Sequence, residues 1–371
     1  MSKLRIAFVI PTMDQGGAEK QLALLAIGLP KDQFDVHVFL LTRDGPRSEM
    51  LRSNDVPVTV IGKRFKLDPS ALFRLKRCLQ SFQPDIVHTW LFAANSFGRT
   101  AAWLSKTPTI IGSERCVDPW KRWYQFAIDR WLAKRSQAIT TNSQGIVEFY
   151  AQHGMDRDLF RVIPNGIASR QSEPIDRQQA CQRLGIAEDR RIVLAVGRLW
   201  PQKRYRDLVW AAEMISAVDP LLTLVIIGDG PQKYELLRFR DDVTSRQAVT
   251  FVGHREDVEQ LLPHAEVFWN GSEYEGQSNS IIEAMQAGVP VIASDIPGNR
   301  DLIKDQVTGK LVPLGDRAAL AQATLELLRS PDQAALLGKQ ASRFIEDHFT
   351  IEQLIQRHAT LYQELCTDAG S

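Results

Sequence analysis

Residues 265–295 read AEVFWNGSEYEGQSNSIIEAMQAGVPVIASD, and the pattern in this stretch decides the fold. The apolar residues 267–269 have the character of a buried strand, and a glycine-punctuated loop follows over 271–278. The spacing then predicts a helix over 280–286 and, after Gly288 and Pro290, a second strand over 291–294. Strand, loop, helix and strand in this order is the repeating unit of a parallel sheet. In an open α/β sheet, ligands settle where loops leave the carboxyl ends of strands. The unpaired amides at the start of the following helix suit an anion there, above all a phosphate. Glu275 lies in this loop and Glu283 about one turn into the helix, with seven residues between them. Each carboxylate can therefore accept hydrogen bonds from a different set of hydroxyls on one ligand. Two plainer readings stand beside this: Ser280 with Glu283 fits a helix capping box, and Glu275 alone fits a solvated loop acid.

The bulk of the chain narrows the options. A length of 371 residues suggests two domains of ordinary size. Lysine plus arginine (45) nearly balance aspartate plus glutamate (44), so no overall field marks a nucleic-acid binder and any anion site must be local. Cys78, Cys116, Cys181 and Cys366 are widely spaced, which argues against a zinc site and for reduced thiols in a cytoplasmic setting. The opening MSKLRIAFVIPTMDQ has a short apolar run ending at Pro11 with no cleavage pattern, and it reads as a first strand, not a signal peptide. No stretch is long and apolar enough to cross a bilayer.

From the amino terminus, strand patterns over 4–10, 35–41, 58–61, 85–88, 109–112 and 138–141 alternate with helical ones, the first helix over 18–29. The boundary falls in RVIPNGIASRQSEP (161–174), with a polar linker over 168–174. A new alternation begins at Arg191, with strands over 192–196, 222–227 and 249–253, and helices over 317–328, 332–347 and 351–365 close the chain. The class is α/β, in two Rossmann-like domains over 1–170 and 171–350 with a terminal helical segment over 351–371.

Several strand-end loops carry candidate chemistry. In MDQGGAEKQL (13–22), Gly16 and Gly17 let backbone amides approach a ligand. The loop lacks the Gly-x-Gly-x-x-Gly fingerprint, which disfavours a nicotinamide oxidoreductase. In RIVLAVGRLWPQKRY (191–205), Arg198 and Lys203 follow a strand closely enough to neutralise a diphosphate together. His88 in DIVHTW ends a predicted strand at the crevice rim, where it is either a site residue or a hydrogen-bonded structural one. Ser113, Glu114 and Arg115 end the next strand in the same way. Residues 115–135 combine Trp120, Trp123 and Trp131 with six basic side chains. That helix suits a membrane headgroup region, but the balanced net charge favours an amphipathic domain helix with its aromatics in the core and its charges in water.

Glu275, Gly276, Glu283, Ala284, Met285, Gly288, Pro290 and Val291 together resemble the donor-site signature of the retaining glycosyltransferases of family 4, which have the GT-B fold. The resemblance implies two facing Rossmann-like domains, with the terminal helix crossing back to the first. It implies a nucleotide diphosphate sugar, UDP- or GDP-linked, as donor and a glycan or lipid-linked acceptor, in cell-surface polysaccharide or glycolipid synthesis. Arg198, Lys203, Gly17 and the amides of Gly276, Gln277 and Ser278 would hold the diphosphate, under a loop that includes Gly16. Glu283 would take the ribose hydroxyls and Glu275 those of the donor sugar, with His88 beside the anomeric carbon. Residues 228–230 would pack the nucleotide, and Ser113, Glu114 and Arg115 would face the acceptor. Attack would come on the face the nucleotide leaves, with the departing phosphate assisting proton removal. No Asp-x-Asp motif is visible, and the cationic clamp makes a divalent ion unnecessary. Gln277 departs from the apolar residue often found at its position, which bears on donor identity. The rival readings are a nucleotide-sugar epimerase or phosphorylase of the same architecture, and a non-catalytic carbohydrate-binding protein.

Overall fold

Along β1 (Leu4–Ile10) side chains alternate between two faces that are both buried, and this builds the first half of the protein. In this computed structural model, which describes residues 3–169 and 172–368, Ile6, Phe8 and Ile10 join Leu22, Leu25 and Ala26 of the helix Gly17–Gly28 in one apolar cluster. Ala7 and Val9 join a second, with Leu75 and Leu79 of the helix Pro69–Phe82 and Ala94 and Ala101 of the helix Phe92–Leu104. From Ile6 to Ile10 the strand has no solvent side, and there its sequence is an unbroken apolar run.

The chain divides into two compact units, Met1–Gly166 with Phe349–Ser371, and Ile167–His348. Among the described residues, the first unit contains β1, β2 (Phe34–Leu40), β3 (Val58–Val60), β4 (Ile86–Trp90), β5 (Thr109–Glu114), β6 (Ala138–Thr141) and β7 (Phe160–Val162). They form one parallel sheet in the order β3-β2-β1-β4-β5-β6-β7, with Phe8 in register with His88. The helix Ile351–Asp368 belongs to this unit, where its Ala359 and Tyr362 enter the cluster around Ile6 and Phe8. Gln21 closes the unit by exchanging two hydrogen bonds with the backbone of Gly166, at 2.9 and 2.8 Å.

The second unit contains β8 (Arg191–Val196), β9 (Leu222–Ile227), β10 (Val249–Gly253), β11 (Val267–Asn270), β12 (Val291–Ser294) and β13 (Lys310–Val312). Their order is β10-β9-β8-β11-β12-β13, again parallel. Val193 and Ala195 pack on Leu208, Val209 and Ala212 of the helix Tyr205–Ser216 and on Leu320 and Leu327 of the helix Arg317–Arg329. Both units are thus α/β layers around a parallel sheet. Residues 170 and 171 of the expected linker and residues 369–371 lie outside the described residues.

Three expectations need correction. β7 and β13, three residues each, were not foreseen as strands: each carries a basic residue, Arg161 and Lys310, that breaks the apolar run. The helix after β11 starts at Asn279, with Ser278 as its amino-terminal cap and no side-chain capping bond. Ser280 and Glu283 are therefore both inside the helix, and the capping-box reading of Glu283 falls. β4 continues to Trp90, so His88 is its third residue and not its end.

Candidate active site

In the second sheet the chain winds outward from β8 to β9 and β10, then returns to β11 on the other side of β8. The loops leaving β8 and β11 therefore splay from a topological switch point at the carboxyl edge, where an open sheet admits ligands. The two loops are zipped together. Gln202 Nε2 donates to the Tyr274 carbonyl at 2.6 Å, and the Glu273 amide donates to the Gln202 carbonyl at 2.8 Å. Between them Lys203 Nζ is paired with Glu275 Oε1, which also accepts from Ser272 Oγ at 2.8 Å. Burial, with the nearby Glu275 charge, pushes the Tyr205 hydroxyl well above its ordinary range and keeps it a neutral donor beside this pair.

Two glycines hold these loops close. Gly228 after β9 has φ +148°, and a Cβ there would collide with the Gly197 carbonyl. A Cβ on Gly298 would strike the carbonyls of Gly276 and Glu275, the second at 2.7 Å. The loop thus rests directly on the turn Pro297–Arg300. Gly276, Gln277 and Ser278 are buried as the chain enters the helix Asn279–Gln286, and Ser278 Oγ lies 3.1 Å from Ser280 Oγ. Glu283 is half-buried, just over one turn along that helix. Arg198 is exposed after β8, its guanidinium 5.5 Å from the centre of the Trp200 ring, and it makes no ion pair among the described residues. This edge therefore offers two cations, two carboxylates and a helix start within one unit. Sequence reasoning missed Ser272 and Tyr205; a hydroxyl three residues before Glu275 and an aromatic two residues after Lys203 were the available signals.

The first unit holds the remaining candidates. Gly16 is the amino-terminal cap of the helix Gly17–Gly28, again without a side-chain capping bond, and the Glu19 carboxylate folds back against it. His88 does not stand at a rim. It is wholly buried in mid-strand, with Nδ1 2.8 Å from the Tyr362 hydroxyl and Nε2 3.0 Å from Thr140 Oγ1. Burial drives its pKa well below that of a free imidazole, so it is a neutral ring.

Glu114 and Ser113 are buried as well. Glu114 belongs to a charge network that sequence reasoning did not foresee. Lys121 Nζ lies 3.7 Å from Glu114, 3.1 Å from Asp118 and 3.0 Å from Asp129, and Arg99 pairs with Asp129 at 3.3 Å. Tyr150 and Asn95 add hydrogen bonds to Glu114 at 3.0 and 2.9 Å. Burial pushes Glu114 up to about 7 against the pull of Lys121. The network pins the loop between β5 and the helix Trp123–Ala133. It also inverts the core-helix reading of residues 115–135. Lys121 and Asp129 are inside, while Trp120, Trp123, Tyr124, Ile128 and Trp131 are exposed beside Arg122, Arg130 and Lys134, Trp123 to 81%.

Comparison with known proteins follows the same division of the chain. The model described as Glycosyltransferase Family 4 matches residues 15–171, and that described as Glycosyl transferases group 1 matches residues 190–330. The UDP-Gal:alpha-D-GlcNAc-diphosphoundecaprenol alpha-1,3-galactosyltransferase of Escherichia coli is 27% identical over 361 residues, 91% of either chain. The N-acetyl-alpha-D-glucosaminyl L-malate synthase of Bacillus anthracis is 27% identical over 241 residues, 64% of this chain and 62% of that one. Among solved structures, Anabaena HepE in complex with UDP-glucose superposes with a TM-score of 0.88 at 23% identity, covering 97% of this chain and 100% of that chain. The fold is GT-B.

Proposed function

We propose, because this chain belongs to glycosyltransferase family 4, that it moves a sugar from a UDP-linked donor to a hydroxyl of a lipid-linked glycan, with retention of anomeric configuration. The observation that carries this reading is the Lys203–Glu275 pair at the switch point of β8 and β11, with Arg198, which makes no ion pair among the described residues, on the same loop as Lys203. Lys203 and Arg198 together match the charge of a diphosphate and stabilise it as negative charge grows on the leaving group. Glu275, steered by Lys203 and Ser272, is oriented to accept hydrogen bonds from donor-sugar hydroxyls. Glu283 is assigned the ribose hydroxyls, and the amides of Gly276, Gln277 and Ser278 the phosphate oxygens. Gly16 and Gly17 are assigned a second approach of backbone to the diphosphate. His88, with both nitrogens engaged, is assigned a supporting part beneath the end of β4. In the reaction the anomeric carbon loses its bond to the diphosphate and gains one to the acceptor oxygen, on the same face. The acceptor proton passes to the departing phosphate, so no protein nucleophile and no metal ion is needed.

A UDP donor is supported by the name of the Escherichia coli relative and by the ligand of the Anabaena structure, and a lipid-diphosphate acceptor by the former. Synthesis of a cell-surface glycan follows from such an acceptor. No helix among the described residues is long and apolar enough to cross a membrane. Peripheral attachment at the inner face, through the exposed tryptophans and basic residues of the helix Trp123–Ala133, belongs to the same reading.

The test is incubation of the full chain with a panel of UDP and GDP sugars and a polyprenyl-diphosphate glycan. The expected product carries the new sugar in the donor's anomeric configuration. An inverted product, an isomerised donor or cleavage that requires free phosphate would overturn the proposal.

A further inference from the structure

The carboxyl ends of β4 to β7 gather a polar cluster that the donor chemistry leaves unused. Arg115 directly follows β5 and is only 7% exposed, yet it forms no ion pair among the described residues. Its neighbour Glu114 turns away into the Lys121 network. Arg115 Nη2 donates to Asn165 Oδ1, beyond β7, while Nε and Nη1 are buried without a hydrogen-bond partner among the described residues. The guanidinium sits 4.7 Å from the centre of the Trp90 ring at the end of β4, and Trp90 Nε1 is likewise buried and unpartnered. Two acceptors belong to the same cluster. Asn142, just past β6, donates to the same Asn165 oxygen at 3.1 Å and leaves its own Oδ1 unused. His358 stacks on Trp90 at 6.3 Å, donates from Nδ1 to the Leu354 carbonyl at 2.9 Å and leaves Nε2 unused.

Buried polar groups are almost always hydrogen-bonded, and a buried charge is almost always paired. Burial alone pulls Arg115 down to about 9, which reflects a charge without a counterion. Ordered water would satisfy the neutral groups and leave that charge uncompensated. An oxyanion satisfies both the charge and the donors. The mixed set also narrows the class: an oxyanion answers Arg115 and the indole N–H, and adjacent sugar hydroxyls answer Asn142 Oδ1 and His358 Nε2. A bare carboxylate supplies no such donors; a glycosyl phosphate supplies both. The position is the carboxyl edge of an open sheet, where ligands enter.

We propose that Arg115, with Trp90, is the phosphate-binding element of the acceptor subsite, taking the phosphate next to the acceptor sugar. The inference rests on the transferase reading above. The experiment is titration of the full chain with a sugar 1-phosphate while saturating UDP fills the donor side, followed by calorimetry, for the wild type, Arg115→Gln and Trp90→Phe. The expected result is binding by the wild type, weakened about tenfold or more by R115Q and by a smaller factor in W90F, with UDP affinity unchanged in both. Trp90→Phe keeps the ring under the guanidinium, so it carries the test if R115Q fails to fold. Wild-type chain that ignores the sugar phosphate, because water alone fills the cluster, would overturn the proposal. So would equal affinity in all three proteins. Loss of UDP binding by the wild type itself would instead overturn the transferase reading.

Discussion

Lys203 and Glu275, 72 residues apart in sequence, are ion-paired where the loops leaving β8 and β11 meet. Lys203→Ala removes the cation that the proposed reading sets against the departing diphosphate, while leaving both loops tied through Gln202. Turnover with a UDP sugar should fall by about 100-fold or more. A near-normal kcat would show that Lys203 only neutralises Glu275.

The helix after β11 starts at Asn279, so Glu283 lies inside it, half-buried just over one turn along, and the proposed reading assigns it the ribose hydroxyls. Glu283→Ala should lower kcat/KM for the donor by about 10- to 100-fold, the worth of a charge-assisted hydrogen bond to the ribose. A donor lacking the ribose hydroxyls should show the same loss with the wild type and no additional loss with the variant. Additive losses would place the ribose elsewhere.

Two buried histidines set an acid limit on stability. His358 is pulled down to about 3, chiefly by burial, and His88 is lowered by burial, by His358 and by Arg115. Unfolded, both titrate near 6.5, so below that value the unfolded chain binds more protons than the folded one. Stability therefore falls as pH drops below about 6.5, for His358 down toward 3, by up to about 1.4 kcal/mol per pH unit for each ring that stays neutral in the fold. Glu114, raised by burial to about 7, acts in the opposite sense between its unfolded value and pH 7. The difference between proteins isolates the histidine. Urea unfolding at pH 7, 6 and 5 should give a shallower acid slope for His358→Gln than for the wild type. Parallel slopes would mean that His358 already carries a proton in the fold.

The exposed face of the helix Trp123–Ala133 makes a prediction about membranes. The chain should sediment with anionic liposomes at low salt, leave them at high salt and ignore neutral ones. Trp123→Ser with Lys134→Glu, both exposed positions, should weaken binding about tenfold or more. No sedimentation of the wild type at low salt would remove the membrane from the account.

The sheets were largely legible because a strand buried on both faces is a mostly apolar run, as over residues 6–10 of β1 and 224–227 of β9. β7 and β13 escaped because each is three residues long and includes a basic residue, Arg161 or Lys310, whereas the equally short β3 reads VTV. The adjacency of the loops carrying Lys203 and Glu275 was readable because each leaves a strand and each is followed by a helix, which in a parallel sheet puts both at one edge. The surroundings of His88 were not. Thr89 and Trp90 extend its strand, and Tyr362, which caps its Nδ1, is 274 residues away. Residues 115–135 misled for a related reason. Charges are assigned to water by default, and the meeting of Lys121 with Glu114, Asp118 and Asp129, which offsets part of the cost of burying them, exists only in the folded chain.

The most direct test of the central claim, that Lys203 anchors a nucleotide diphosphate in the second unit, is the thermal stability of the full chain with and without UDP, for the wild type and Lys203→Ala. UDP at about 100 times its dissociation constant should stabilise the wild type by about 2.7 kcal/mol, seen as a rise of a few degrees in Tm, and should leave the variant nearly unmoved. Equal rises in both proteins, or none in the wild type with UDP, GDP or their sugars, would contradict it.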